Sequence, residues 1–262
     1  MMVDLGSVRV VVTGATSGLG EAMTDALLEA GATVALASRP TPRLDEAVSR
    51  REKLGQKVLR LPMDVRDLDS VERAVVRVME EFGGVDVVIN NAGIGMRTVN
   101  PHFFDQPMPF YLVNPDGFAD VVSTNLTGYF LVARSFAPYF VESGVGRFIN
   151  VTMNHETMKR RGFVPYGPSR AGAESLSVIM AEDFDGTGVT VNMLLPGGAT
   201  ATGMIPEEVP ATFSANLLSP KIMGPPAVFL ASEEAKNLSG ARIVATEFDG
   251  WLAEFRQSKN RR

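Results

Sequence analysis

Tyr166 and Arg170 stand four residues apart in Tyr166-Gly-Pro-Ser-Arg170. On a helix that spacing puts both side chains on one face, about one turn from each other. A phenol beside a permanent positive charge ionises more easily, because the charge stabilises phenolate. Such a pair suits proton exchange with an alcohol or a carbonyl near neutral pH. Far upstream, the apolar run 8–12 leads directly into a glycine loop, Thr13-Gly-Ala-Thr-Ser-Gly-Leu-Gly20, that opens a helical pattern. In this setting Gly14 permits a tight turn, Gly18 lets a pyrophosphate approach the backbone, and Gly20 allows close helix–strand packing. The helix start, with Thr16, Ser17 and Leu19, offers free N–H groups to phosphate. A dinucleotide is the expected ligand. The second strand ends in Ser38-Arg39, with no carboxylate before Asp45 to take ribose hydroxyls. Arg39 can instead hold a 2′-phosphate by charge-assisted hydrogen bonds, which favours NADP(H) over NAD(H).

The elements that must position these residues follow an alternating pattern. Short β-branched runs over 8–12, 33–37, 57–61, 85–90, 147–151, 189–194 and 242–245 read as strands. Nearly continuous apolar runs of this kind fit parallel strands covered on both faces. Helical spacing occupies 19–30, 43–54, 68–82, 118–141 and 166–184, and Gly31, Gly55 and Gly83 stand just past helix ends. The pattern predicts an α/β doubly wound parallel sheet with helices on both faces, its ligand at the carboxyl ends of the strands. At 262 residues and 45% hydrophobic content, one domain over 1–262 suffices. Two segments break the rhythm, 94–116 and 197–219, and both are expected to form substrate-site loops.

Composition narrows the function. A net charge of −5 and the lack of any long basic run argue against nucleic acid. With no cysteine and only His102 and His155, no metal site is expected. No apolar run reaches membrane-span length and the start lacks a secretory pattern, so no membrane partner and a cytoplasmic location are expected. The terminal run 259–262 is expected to be a frayed tail.

Taken in order, Thr13-Gly-x-x-x-Gly-x-Gly20, Asn90-Asn-Ala-Gly93, Asn125 within a long helical segment, Tyr166-x-x-x-Arg170 and Pro196-Gly197 resemble the short-chain dehydrogenases/reductases. The resemblance runs from about residue 8 to residue 244. Tyr166–Ser169, Leu194-x-Pro-Gly-Gly198 and Gly240-Ala-Arg242 resemble one branch of that family. The resemblance implies a Rossmann fold in which Asp64 and Val65 contact adenine and Asn91, Ala92 and Gly93 line the adenosine side. It places Pro196, Gly197 and Gly198 against the nicotinamide, with Thr200 or Thr202 near its carboxamide or a phosphate. Asn125 would hold a relay water through a local break in its helix. On the residues alone, Asn125 reads equally as a satisfied helix polar group and Asp64 as a helix cap. The family also implies a homodimer or homotetramer built on the long helices, here the apolar segments 121–141 and 171–184.

Two positions depart from the family pattern. Where it carries serine, thirteen residues before the tyrosine, this chain has Met153 in Val151-Thr-Met-Asn-His155. A thioether cannot donate a hydrogen bond, so Thr152 or Asn154 takes that role, or none does, with Asn154 favoured because its amide donates directly. Arg170 replaces the usual lysine and keeps the charge in a different shape, still able to stabilise tyrosinate and reach the ribose. The leading expectation is an NADP(H)-dependent reductase or alcohol dehydrogenase acting on a small or medium alcohol or carbonyl compound. Tyr166 would exchange the proton, assisted by Arg170, Asn125 and Asn154. Alternatives are a tyrosine–arginine elimination without nucleotide, as in halohydrin dehalogenases, and a catalytically degenerate nucleotide-binding sensor or partner subunit. Methionines and phenylalanines around the expected pocket suggest an apolar substrate body, while Arg97, His102, Lys159, Arg160 and Arg161 suit an anion.

Overall fold

A computed structural model of the chain describes residues 3–206 and 208–260. Along it run β1 (Arg9–Thr13), α1 (Gly18–Glu29), β2 (Thr33–Ser38), α2 (Pro42–Glu52), β3 (Val58–Pro62), α3 (Leu68–Phe82) and β4 (Val87–Asn90). There follow α4 (Pro115–Val122), a π-helical turn (Ser123–Thr127), α5 (Gly128–Ser143), β5 (Gly146–Val151), α6 (His155–Met158) and α7 (Tyr166–Asp183). The chain then forms β6 (Val189–Leu195), α8 (Ala211–Ser214), α9 (Gly224–Ala231), β7 (Arg242–Val244) and α10 (Phe248–Asn260).

All seven strands pair in parallel, in the order β3-β2-β1-β4-β5-β6-β7. Successive side chains of a strand face opposite sides, so each strand feeds two cores. Val10, Val12, Val34, Leu36, Ile149 and Val151 pack with α1, α2, α9 and α10. Val11, Ala35, Ala37 and Phe148 pack with α3, α5 and α7. The chain winds outward from β1 to β3, then crosses back to β4 on the other side of β1. A crevice opens at that reversal, at the carboxyl ends of both strands.

The seven expected strands form, as do four of the five expected helices, with ends moved by a few residues. Gly83 caps α3 in the left-handed conformation (φ 67°). Three expectations need correction. The continuous helix over 118–141 is divided into α4 and α5 by the π turn, and it starts earlier because Asn114 caps the N–H of Asp116 and Pro115 fills a first-turn position. Helices α9 and α10 lacked clear periodicity because their apolar residues, including Phe229, Phe248, Trp251 and Phe255, form one aromatic cluster. That cluster carries helix α10 into the expected tail. Lys259 donates to the Glu234 carbonyl at 2.7 Å and lies over the Phe255 ring, whereas residues 261–262 lie outside the described residues.

The last strand is tied to the site by a carboxylate. Glu174 in α7 accepts from Thr152 Oγ1 at 2.7 Å and Arg242 Nε at 2.9 Å, and meets His155 Nε2 at 2.6 Å. Arg242 Nη2 also donates to the Met153 carbonyl at 2.8 Å. Burial opposes the Glu174 charge, but the hydrogen bonds from Thr152, His155 and Arg242 hold its pKa below the ordinary glutamate range. A carboxyl with a depressed folded pKa stabilises the fold above its unfolded pKa and loses that contribution as pH falls through the folded value. Glu174→Gln should therefore lower the urea midpoint at pH 7. The deficit relative to the parent should shrink as pH drops below about 4, where unfolded glutamate also takes up its proton.

Candidate active site

The glycine loop after β1 folds as its residues require. Gly14 (φ 65°) and Gly18 (φ 57°) adopt left-handed conformations that disfavour side chains. A Cβ on Gly20 would stand 2.2 Å from the Gly14 carbonyl oxygen, so this glycine serves packing and does not line the cleft. The turn is held to the end of β4 by Thr13, whose Oγ1 accepts from the N–H groups of Asn91 (2.9 Å) and Ala92 (3.0 Å) and donates to the Ile89 carbonyl. Asn91 Nδ2 returns a hydrogen bond to the Thr13 carbonyl at 2.9 Å. These contacts fix the floor of the crevice where the winding reverses.

From this floor a continuous cleft of about 1160 Å³ runs to Tyr166. Gly14, Thr16, Ser17, Gly18 and Leu19 line one stretch, and Arg39, Asp64 and Val65 line its far end. Asn91, Ala92, Gly93, Pro196, Gly197, Gly198, Thr200 and Thr202 line the middle and near end. Arg39 is exposed at the end of β2, beside Thr41 and Arg43, which also face the cleft. Asp64 is gripped by Arg66 through Nε (3.0 Å) and Nη2 (2.8 Å). That side-chain pairing is the main reason its pKa is lowered, with Arg39 a weaker contributor. The cap of α3 is Asp67, so Asp64 remains a wall of the cleft.

Tyr166 opens α7 and is half-buried, its Oη 3.9 Å from Met204 Sδ. One turn on, Arg170 is only 3% exposed. Its Nη1 donates to Tyr129 Oη at 2.7 Å and to the Val151 carbonyl at 3.0 Å. Its guanidinium carbon lies 5.5 Å from the Tyr166 ring centre and 5.6 Å from that of Tyr129. Nη2 lies so near Gly93 that a Cβ there would stand 2.3 Å away. Burial opposes the charge, yet Tyr129 and Tyr166 outweigh it and raise the arginine's pKa above its ordinary value. Nη1 thus faces the protein interior, while Arg170 also lines the cleft, with Nη2 beside Gly93.

The remaining expected residues fall into distinct groups. Asn125 sits in the π turn, fully buried and away from the cleft. Its Oδ1 accepts from Ile94 N–H at 2.9 Å, and Nδ2 donates to the Ile94 carbonyl (3.0 Å) and to Ser169 Oγ (3.1 Å). Both amide protons are therefore used on the chain itself. Met153 stands in the cleft wall, and Thr152 spends its hydroxyl proton on Glu174. Asn154 also lines the cleft, where Nδ2 donates to the Gly197 carbonyl at 3.0 Å and keeps one N–H.

The segments 94–116 and 197–219 meet over Tyr166. Phe104 and Phe213 pack with ring centres 4.4 Å apart and planes tilted by 58°, and Arg97 Nη1 donates to the Gly203 carbonyl at 3.2 Å. Met96, Phe103 and Phe163 form a small apolar cluster against Tyr166. Of the cations considered for an anion, Arg97 and Arg160 line the cleft, whereas His102, Lys159 and Arg161 do not. Tyr129, Glu174 and Met204 escaped the sequence reading. Only Tyr129 carried a usable signal, standing four residues after Asn125 on a helical segment.

With this geometry in place, comparison with known proteins becomes specific. The family model for short chain dehydrogenase matches residues 8–211. Gluconate 5-dehydrogenase of Gluconobacter oxydans (strain 621H) is 31% identical over 194 residues, covering 74% of this chain and 72% of that protein. The 3-oxoacyl-[acyl-carrier-protein] reductase FabG of Vibrio harveyi is 30% identical over 240 residues, covering 89% and 93%. Among solved structures, 3-ketoacyl-(acyl-carrier-protein) reductase from Brucella melitensis complexed with NADH superposes with a TM-score of 0.80 at 25% identity, covering 92% of this chain and 97% of that one. A glycine cradle, a crevice at the reversal of winding and Tyr166 at its mouth thus come together in a chain that belongs to the short-chain dehydrogenase family.

Proposed function

We propose that the protein is a cytoplasmic NADP(H)-dependent oxidoreductase that interconverts an alcohol and a carbonyl compound, with Tyr166 as the proton donor and acceptor. The observation that carries this reading is one uninterrupted cleft, with Arg39 and the glycine cradle at one end and Tyr166 backed by Arg170 at the other. The cradle fits a dinucleotide because the left-handed Gly14 and Gly18 leave backbone where side chains would intrude. When bound, the nicotinamide supplies or accepts the hydride. Tyr166 gives its proton to the developing alkoxide in reduction and takes it back in oxidation. The spare N–H of Asn154 polarises the substrate oxygen in place of the absent serine. Asn125 acts as a positioning residue that joins the loop after β4 to the start of α7.

Arg39 bears on the nucleotide, although a solved relative is a complex with NADH. Its position at the end of β2, with no acidic neighbour in the sequence before Asp45, favours a 2′-phosphate over bare ribose hydroxyls. The substrate half of the cleft combines Met96, Phe103, Met153, Phe163 and Met204 with Arg160, whose guanidinium lies 5.0 Å from the centre of the Phe163 ring. The two carboxylates lining the cleft among the described residues, Asp64 and Asp120, are both bonded to Arg66 instead. An apolar carbonyl compound bearing an anionic group suits these walls. Exposed Phe118, Phe130, Val178 and Ile179 on α4, α5 and α7 suit a homodimer or homotetramer.

A second reading has its own support. Met153 lines the cleft and Met204 contacts the Tyr166 hydroxyl, the surroundings of a degenerate NADP(H)-binding subunit. Turnover separates the two. Tyr166→Phe should lower carbonyl reduction by at least about 10²-fold while NADPH affinity stays at the parent value; equal turnover in the variant removes this mechanism. In titrations, Arg39→Ala should weaken NADPH by about tenfold and leave NADH nearly unaffected, as expected for loss of one charge-assisted contact. Equal weakening of both would remove the NADP(H) preference. Among matched aryl ketones, a free carboxylate should give a kcat/KM at least about fivefold above that of its methyl ester, and Arg160→Gln should erase the difference.

A further inference from the structure

Arg170 is a buried permanent charge whose neighbours include no carboxylate among the described residues. Such a charge is costly unless hydrogen bonds and polarisable surfaces replace its water. Here the replacements are the Tyr129 hydroxyl, the Val151 carbonyl and the faces of two tyrosine rings. Tyr129 closes the arrangement by donating its own proton to the Val151 carbonyl at 3.1 Å. One phenol oxygen thus accepts from the arginine while giving its proton to the acceptor that the arginine also uses. The resulting three-membered ring joins α5, the end of β5 and α7.

We propose that Tyr129 is a positioning residue which fixes the Arg170 guanidinium against Tyr166, so that tyrosine and arginine form a rigid pair in place of a mobile ammonium. The proposal rests on the oxidoreductase reading for its kinetic consequences, and on the ring of hydrogen bonds alone for its structural one. Tyr129 is fully buried and burial raises its own pKa, so its proton stays on and the ring remains intact. Tyr166, at the cleft, is the member that can exchange a proton with a bound molecule. The charged and titratable groups around Tyr166 are Arg170 on its own helix, Tyr129 on α5, and Arg97 and Arg160 along the cleft wall. Glu174, one turn past Arg170, is committed to Thr152, His155 and Arg242.

The test is a double-mutant cycle on the full chain with Tyr129→Phe, Arg170→Gln and their combination, each checked for folding by its melting curve. Tyr129→Phe keeps the ring and deletes only the oxygen; Tyr129→Leu is the second variant should Phe fail to fold. Removing the oxygen should lower kcat for carbonyl reduction by about tenfold or more, as misplacement of a catalytic group does, with KM for NADPH near the parent value. In alcohol oxidation, the rising limb of the pH profile should move to higher pH. On an Arg170→Gln background the same substitution should cost nothing further, because the charge it positions is gone. Additive losses, or an unmoved pH profile, would overturn the proposal. If the parent reduces no carbonyl, the oxidoreductase reading fails, and a crystal structure of Tyr129→Phe decides this inference separately. A guanidinium turned away from Val151 supports it, and an unmoved one overturns it.

Discussion

A positive charge that cannot be discharged, almost wholly withdrawn from water, is the constraint around which this active site is organised. Arg170 lies in the cleft wall, 3% exposed, with the hydrogen bonds of its Nη1 directed inward. Keeping it there requires an acceptor from β5, a phenol from α5 and close backbone approach from the chain after β4. The phenol and the backbone approach both come from the connection between β4 and β5, and the acceptor is the last residue of β5 itself. The fold's role is to deliver these groups to one point, and the proton chemistry of Tyr166 follows from that delivery.

The π turn contributes to the same end. Wound with one extra residue per turn, Ser123–Thr127 separates α4 from α5 and keeps both Asn125 and Tyr129 pointed inward. Asn125 then ties Ile94 to Ser169, and Tyr129 ties Arg170 to Val151. The first tie secures the loop that follows β4 and the second the end of β5. Both meet α7 near the residues that carry the chemistry. The turn is therefore a registration device for that loop and that strand end.

Much of this was legible in the chain. Continuous Val and Ile runs identify buried parallel strands, since period-two alternation into two cores leaves no polar face. Glycines at 14, 18 and 20 identify the cradle because positive φ and tight packing admit nothing larger. Contacts whose partners are remote in sequence were illegible. Glu174 reads as one more helix-surface carboxylate until β7 brings Arg242 beside it. Met204 lies in a loop without periodicity, and its contact with Tyr166 depends on where the two long loops meet. Between Thr152 and Asn154 the chain offered only the chemistry of the two groups, which favoured the amide. Only the structure shows one hydroxyl committed to Glu174 and one amide with a proton to spare.

The close approach of Arg170 Nη2 to Gly93 has a consequence for variation at the site. The two positions form one steric unit, coupled in a single direction. A shorter cation at 170 would leave room beside Gly93, but no side chain can be added at 93 while the guanidinium keeps its place. An exchange of arginine for lysine is thus open to a single substitution, whereas growth at 93 has to wait for it. The order in which the site can change is written into one interatomic distance.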